Sequence, residues 1–135
     1  MAINLFNEFG TDAKAEIEGA WISYGGDAKF LIARFGNTKF KRAMSDMWKK
    51  SKNVLETKPG ASDAVLDAAD AAELNIKVEC YSKFILLGWS GVDAEYSVAA
   101  AREALKIKDF CSWVETQAMD FKNFKAAELE EEAGK

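Results

Sequence analysis

Apolar positions along the chain change period as it is read from the N-terminus. Between Ile17 and Phe35 they fall into two short runs, Trp21, Ile22 and Tyr24 before Gly25-Gly26-Asp27, and Phe30, Leu31, Ile32 and Phe35 after it. Aromatic and β-branched residues suit strands, and paired glycines supply the positive φ angles of a tight turn, so the stretch predicts a β-hairpin. From Asn37 the spacing becomes three and four: Phe40, Met44, Met47, Trp48, Ser51, Val54 and Leu55 mark one face of an amphipathic helix, with Phe40 and Trp48 turned inward. Asn37 is a good N-cap, and Lys58-Pro59-Gly60 ends the pattern.

Ser62 caps a longer helix whose stripe runs through Leu66, Ala69, Ile76, Cys80 and Leu87. From Val78 onward the apolar residues surround it, with Tyr81, Phe84, Ile85 and Leu86, as expected of a central helix packed on several sides. Gly88-Trp89-Ser90-Gly91 is read as the loop that stops it. Ser97 caps a further helix to about Ile107, and Phe110, Trp113, Val114, Phe121 and Phe124 outline a last one. The expected fold is mainly α, of the α+β kind: about four helices with a short N-terminal hairpin packed against them, since a two-stranded hairpin is marginal alone. The expected organisation is one domain over 1–135, made of an N-terminal segment 1–16, a hairpin 17–35, a helical core 37–127 and a fraying acidic tail 128–135.

Composition supports a globular chain, with 49% apolar and 30% charged residues. The net charge of −4 is unevenly placed. Residues 37–58 hold seven basic residues against Asp46 and Glu56, a net +5, whereas residues 62–79 hold five acidic residues against Lys77, a net −4. The basic helix is read as a solvated face, and nucleic acid as an improbable partner for a chain acidic overall. No apolar run approaches the roughly 20 residues that span a membrane, and Met1–Gly10 lacks the basic start and apolar stretch of a secretory signal. Cys80 and Cys111, without Cys-x-x-Cys spacing, are read as reduced, packed thiols.

The chain has no histidine, which removes the usual general base, triad member and zinc ligand. No glycine-rich phosphate loop is present. Asp63, Asp67 and Asp70 recur at helical spacing without a glycine-turned calcium loop, the pattern of a solvated face. No enzyme activity, metal or cofactor is therefore expected. Four tryptophans are many for this length, and Trp89, between two glycines, is the one that no helix stripe explains.

The order of these pieces resembles a known family. A Trp/Tyr hairpin leads into Ala33-Arg34-Phe35-Gly36-Asn37 and a lysine-rich helix. A central helix then ends in Ile85-Leu86-Leu87-Gly88-Trp89-Ser90-Gly91-Val92, and Tyr96-Ser97 opens an alanine-rich helix followed by Phe110, Trp113, Val114, Ala118 and Phe121. Over about Gly19 to Phe124 this resembles the tail assembly chaperones of long-tailed bacteriophages. The resemblance implies a small, mainly helical, non-catalytic protein of the host cell cytoplasm that binds the tape measure protein and helps tail tube protein polymerise around it. It further implies absence from the mature virion and a longer product made by frameshift near the end of the gene; self-association into a homo-oligomer is the expectation for a chaperone that coats a long, rod-like partner. Trp21, Tyr24, Trp89 and Tyr96 are the candidate partner-binding residues, because such a protein works through exposed apolar surface. The competing expectation is a structural virion part, a tail completion or head-tail connector protein.

Overall fold

The computed structural model describes residues 2–125. Among them the chain forms α1 (Leu5–Phe9), α2 (Ala13–Glu18), β1 (Ala20–Gly25), β2 (Ala28–Ile32), α3 (Thr38–Lys50), α4 (Lys52–Leu55), α5 (Asp63–Phe84), β3 (Leu86–Ser90), α6 (Val98–Leu105), α7 (Lys108–Met119) and a 3-10 helix at Phe121–Phe124. The fold is mixed α and β and mainly helical, with the hairpin near the N-terminus, as its pattern predicts. The acidic tail 128–135 lies outside the described residues.

The hairpin is shorter than 17–35. Gly19, at φ +95°, turns the chain into β1, and Ile17 belongs to α2 rather than to a strand. The segment before it holds two short helices capped by Asn4 and Asp12, whose side chains accept hydrogen bonds from the backbone N–H groups of their first turns. That segment is tied to the body at several points. Asp12 N–H donates to the Phe124 carbonyl, Arg34 N–H donates to the Glu16 carbonyl, and the Arg34 guanidinium meets Glu16 Oε1 at 2.9 Å.

The larger departure lies after the central helix. Residues 86–90 are not a loop but a third strand, giving the antiparallel order β1-β2-β3. A short run such as Leu-Leu-Gly-Trp-Ser is ambiguous between helix end and strand by its period alone. Pairing decides the matter, because β2 has a free edge that a third strand completes. The helix stops at Ile85, whose carbonyl accepts from Ala33 N–H at 2.8 Å, so helix and sheet join with no intervening loop. The core region 37–127 is thus not purely helical.

Asn37 starts α3 as expected and is buried. Its Oδ1 accepts from Phe40 N–H at 2.8 Å and its Nδ2 donates to the Arg34 carbonyl at 2.6 Å, so both ends of the amide are satisfied. The helix predicted through Leu55 breaks at Ser51 into α3 and α4. Phe40 is buried, stacked on Phe35 and tilted against Tyr81, whereas Trp48 is 41% exposed, against expectation. At 3.6 residues per turn Trp48 lies about 80° around the helix from Phe40, at the edge of the stripe.

The core gathers Ile22, Phe30 and Ile32 from the sheet, Phe40 from α3, Ile76, Val78, Cys80 and Tyr81 from α5, and Ala101, Leu105, Val114 and Ala118 from α6 and α7. The second half of α5 is enclosed, as its ring of apolar residues predicts. Its first half, including Leu66, stays exposed. Asp120 ends α7 and caps the 3-10 turn that carries the fully buried Phe124, where the period predicts continuous helix.

Candidate partner-binding groove

Strand alternation sorts the aromatic residues onto two sides of the sheet. Ile22, Phe30 and Trp89 lie opposite one another across the three strands and face the helices. Trp21, Leu31 and Gly88 form the neighbouring row on the other face. Leu87 is the extra residue of a bulge, which brings Gly88 rather than Leu87 opposite Leu31. A Cβ at position 88 would sit in ordinary van der Waals contact with Leu31 and the rim of the Trp21 indole, which places the ring beside this row.

On the helix side the aromatic rings form one continuous row. Tyr24, from the end of β1, meets Trp113 edge-on at 5.3 Å; Trp113 meets Phe30 at 5.3 Å. Phe30 also contacts Phe110 at 5.4 Å and Trp89 at 6.3 Å, and Trp89 meets Tyr96 edge-on at 5.1 Å. Edge-to-face pairs at these distances are favourable geometries for aromatic quadrupoles. The polar tips at one end are used internally: Trp89 Nε1–H donates to the Ala94 carbonyl at 2.7 Å, and Tyr96 O–H donates to the Leu86 carbonyl at 2.9 Å. Burial pushes the Tyr96 phenol above its ordinary value. These two bonds fold residues 91–96 back over β3. Gly91 permits the fold: it has φ +71°, and a Cβ there would fall 2.1 Å from the Asp27 carbonyl oxygen.

The row floors an open apolar groove. One part, about 460 Å³, lies between Trp89, Val92, Ala100, Ala104 and Phe110. A second, about 340 Å³, lies between Tyr24, Trp113 and Asp109, and the two parts share Phe30 and Phe110. Ala100 and Ala104, four apart on α6, keep that wall low, so another chain can approach the helix closely. Ile107 stands 62% exposed at the mouth. Asp93, Glu103 and Asp109 line the groove's polar margin, with Glu103 bonded to Lys106 at 2.9 Å. The arrangement can bury an apolar segment. Among the described residues, no group of three or more His, Cys, Asp or Glu is placed to hold a metal ion, and no helix is long and apolar enough to cross a membrane.

Of the four residues singled out from the sequence, the fold gathers Tyr24, Trp89 and Tyr96 on this row. It leaves Trp21, 53% exposed, on the opposite face of the sheet. Trp89 reaches the row from a strand, not from the loop its flanking glycines predict. Sequence reasoning did not assign Phe30, Phe110, Ala100, Ala104 or Ile107 to a binding surface. The signal for the helical wall was present in Ala100 and Ala104, a small residue repeated one turn apart with Ile107 beyond it.

Neither the curated proteins nor the solved structures contain a match to this chain. One family model does match, that of the YdaY prophage protein, over residues 35–135. The match begins after the hairpin, so it covers β3, the returning loop, α6 and α7 of the groove but not Tyr24 or Phe30. Because it spans most of the chain, this protein belongs to the YdaY prophage protein family and is phage-derived.

Proposed function

We propose that this prophage protein is a tail assembly chaperone that holds the tape measure protein while tail tube subunits polymerise around it. The observation that carries the reading is the aromatic groove: an open, largely apolar channel in which the polar tips of Trp89 and Tyr96 are bonded inward, leaving apolar ring surface for a partner. Apolar area of this kind supplies affinity without catalysis, and a histidine-free chain with no acid/base set is consistent with a holding role. The sequence resemblance to tail assembly chaperones supports the same reading. The occupant is an amphipathic helix of the tape measure protein, laid with its apolar side on Phe30, Trp89 and Phe110. The protein acts in the host cell cytoplasm and leaves before the virion is complete.

The test is co-expression of the protein with the tape measure protein of the same prophage, followed by a pulldown. Wild type is expected to capture and solubilise it, and Ile107→Glu, which sets a charge at the groove mouth, to lose at least tenfold in capture while folding normally. No capture by the folded wild-type protein overturns the reading. Mass spectrometry of purified particles separates it from a tail completion or connector protein, because a chaperone is absent from them.

A further inference from the structure

Away from the groove, α3 and the first half of α5 expose two oppositely charged faces that the fold leaves uncovered. On α3 the buried side is set by Phe40, with Met44 and Met47 partly buried beside it. Arg42 and Lys49 lie about 180–200° around the helix from Phe40, flanked by Lys39, Lys41 and Lys50. All five are exposed, and none pairs with a carboxylate among the described residues; Asp46 is the one acid on this side. On α5 the more buried side up to Ile76 carries Ala69, Ala72 and Ile76. Asp63, Asp67, Asp70 and Leu74 lie about 120–180° around from Ile76. All four are exposed, and the three aspartates likewise have no basic partner among the described residues.

We infer that the basic face of α3 docks on the acidic face of α5 in a second copy of this chain. Charge and spacing both fit. Arg42 and Lys49 are seven residues apart, as are Asp63 and Asp70, so each pair spans about 10 Å along its helix. The acidic line from Asp63 to Leu74 runs about 16 Å, close to the length of α3. Leu74, 43% exposed at the end of the acidic line, adds apolar area to the contact. Each pair at the surface contributes little alone, but a row of them across one interface acts together and sets orientation.

The two faces lie on different helices and carry opposite charge. Docking one on the other therefore uses different surfaces on the two copies, and such a head-to-tail contact adds further copies beyond a dimer, as an open chain or, where the rotation closes, a ring. This inference stands apart from the groove, which neither face includes.

Sedimentation velocity of the full chain tests it. At about 30 mM salt the weight-average mass is expected to rise steadily with protein concentration beyond a dimer, and to fall to the monomer at about 0.5 M salt, where screening is short-ranged. Arg42→Gln/Lys49→Gln and Asp63→Asn/Asp67→Asn/Asp70→Asn should each be monomeric at low salt. Mixed one to one they should form a dimer and stop, because each retains one intact face. Circular dichroism and thermal melts show whether each variant folds; if the aspartate variant does not, Asp67→Asn/Asp70→Asn replaces it. A wild-type monomer at low salt overturns the inference, as does association that survives either neutralisation. Loss of association in the basic variant alone, with binding of short duplex DNA by the wild type, also overturns it and assigns α3 to nucleic acid.

Discussion

The two faces of the small sheet carry the same kinds of residue and have opposite fates. On the helix side Phe30 is 7% exposed, held among Trp89, Phe110 and Trp113; on the other side Trp21 is 53% exposed, in the row of Leu31 and Gly88. An aromatic side chain is therefore no guide by itself to core or contact surface. What matters is the row to which strand pairing assigns it, and whether a helix covers that row. α6 and α7 cover the inner row only in part, and the uncovered part is the groove.

Phe30→Ala should disturb the helix-side face most. It removes one of the two rings shared by both parts of the groove and is expected to cost about 3–5 kcal/mol, measured by urea unfolding. Next comes Gly91→Ala, expected to cost about 2 kcal/mol or more, because a left-handed backbone and a 2.1 Å approach to the Asp27 carbonyl both oppose a methyl group. It should also detach the loop that carries Tyr96, which the near-ultraviolet circular dichroism of the aromatic row would report.

Alkaline pH probes the buried side without mutation. Burial raises the Tyr96 phenol, the Cys80 thiol and the Cys111 thiol, with Glu79 adding to Cys80 and Glu115 to Cys111. Tyr81 is raised by burial and by donating its O–H to Glu115 at 2.8 Å. All four groups hold their protons longer folded than unfolded. Stability is therefore full below the ordinary thiol value, about pH 8.5, and falls as pH rises beyond it through the unfolded-state values. Denaturant midpoints at pH 7 and pH 10, under reductant, should show the decline; a midpoint that rises would contradict the burial of these groups. The smallest effect belongs to the other face. Trp21→Ser should cost only about 1 kcal/mol, since half of the indole is already in water, and should leave partner capture unchanged.

Much of the framework is legible in local sequence. Asn37, Ser62 and Ser97 cap the helices that follow them, Gly25-Gly26-Asp27 turns the hairpin, and the ring of apolar residues after Val78 marks the enclosed half of α5. These are local rules: a cap bonds its own first turn, a turn glycine supplies its own φ, and a helix stripe reports its own solvent side. The remainder depends on long-range pairing. Leu86–Ser90 became a strand because β2 offered an edge, and Trp48 stayed in water because it sits at the margin of its stripe. Tyr24, Trp89 and Tyr96 became one surface because a bulge at Leu87 and the left-handed Gly91 bring distant segments together. The physical reason is common to all three. Pairing and coverage depend on residues far apart in the chain, and no local period encodes which partner is within reach.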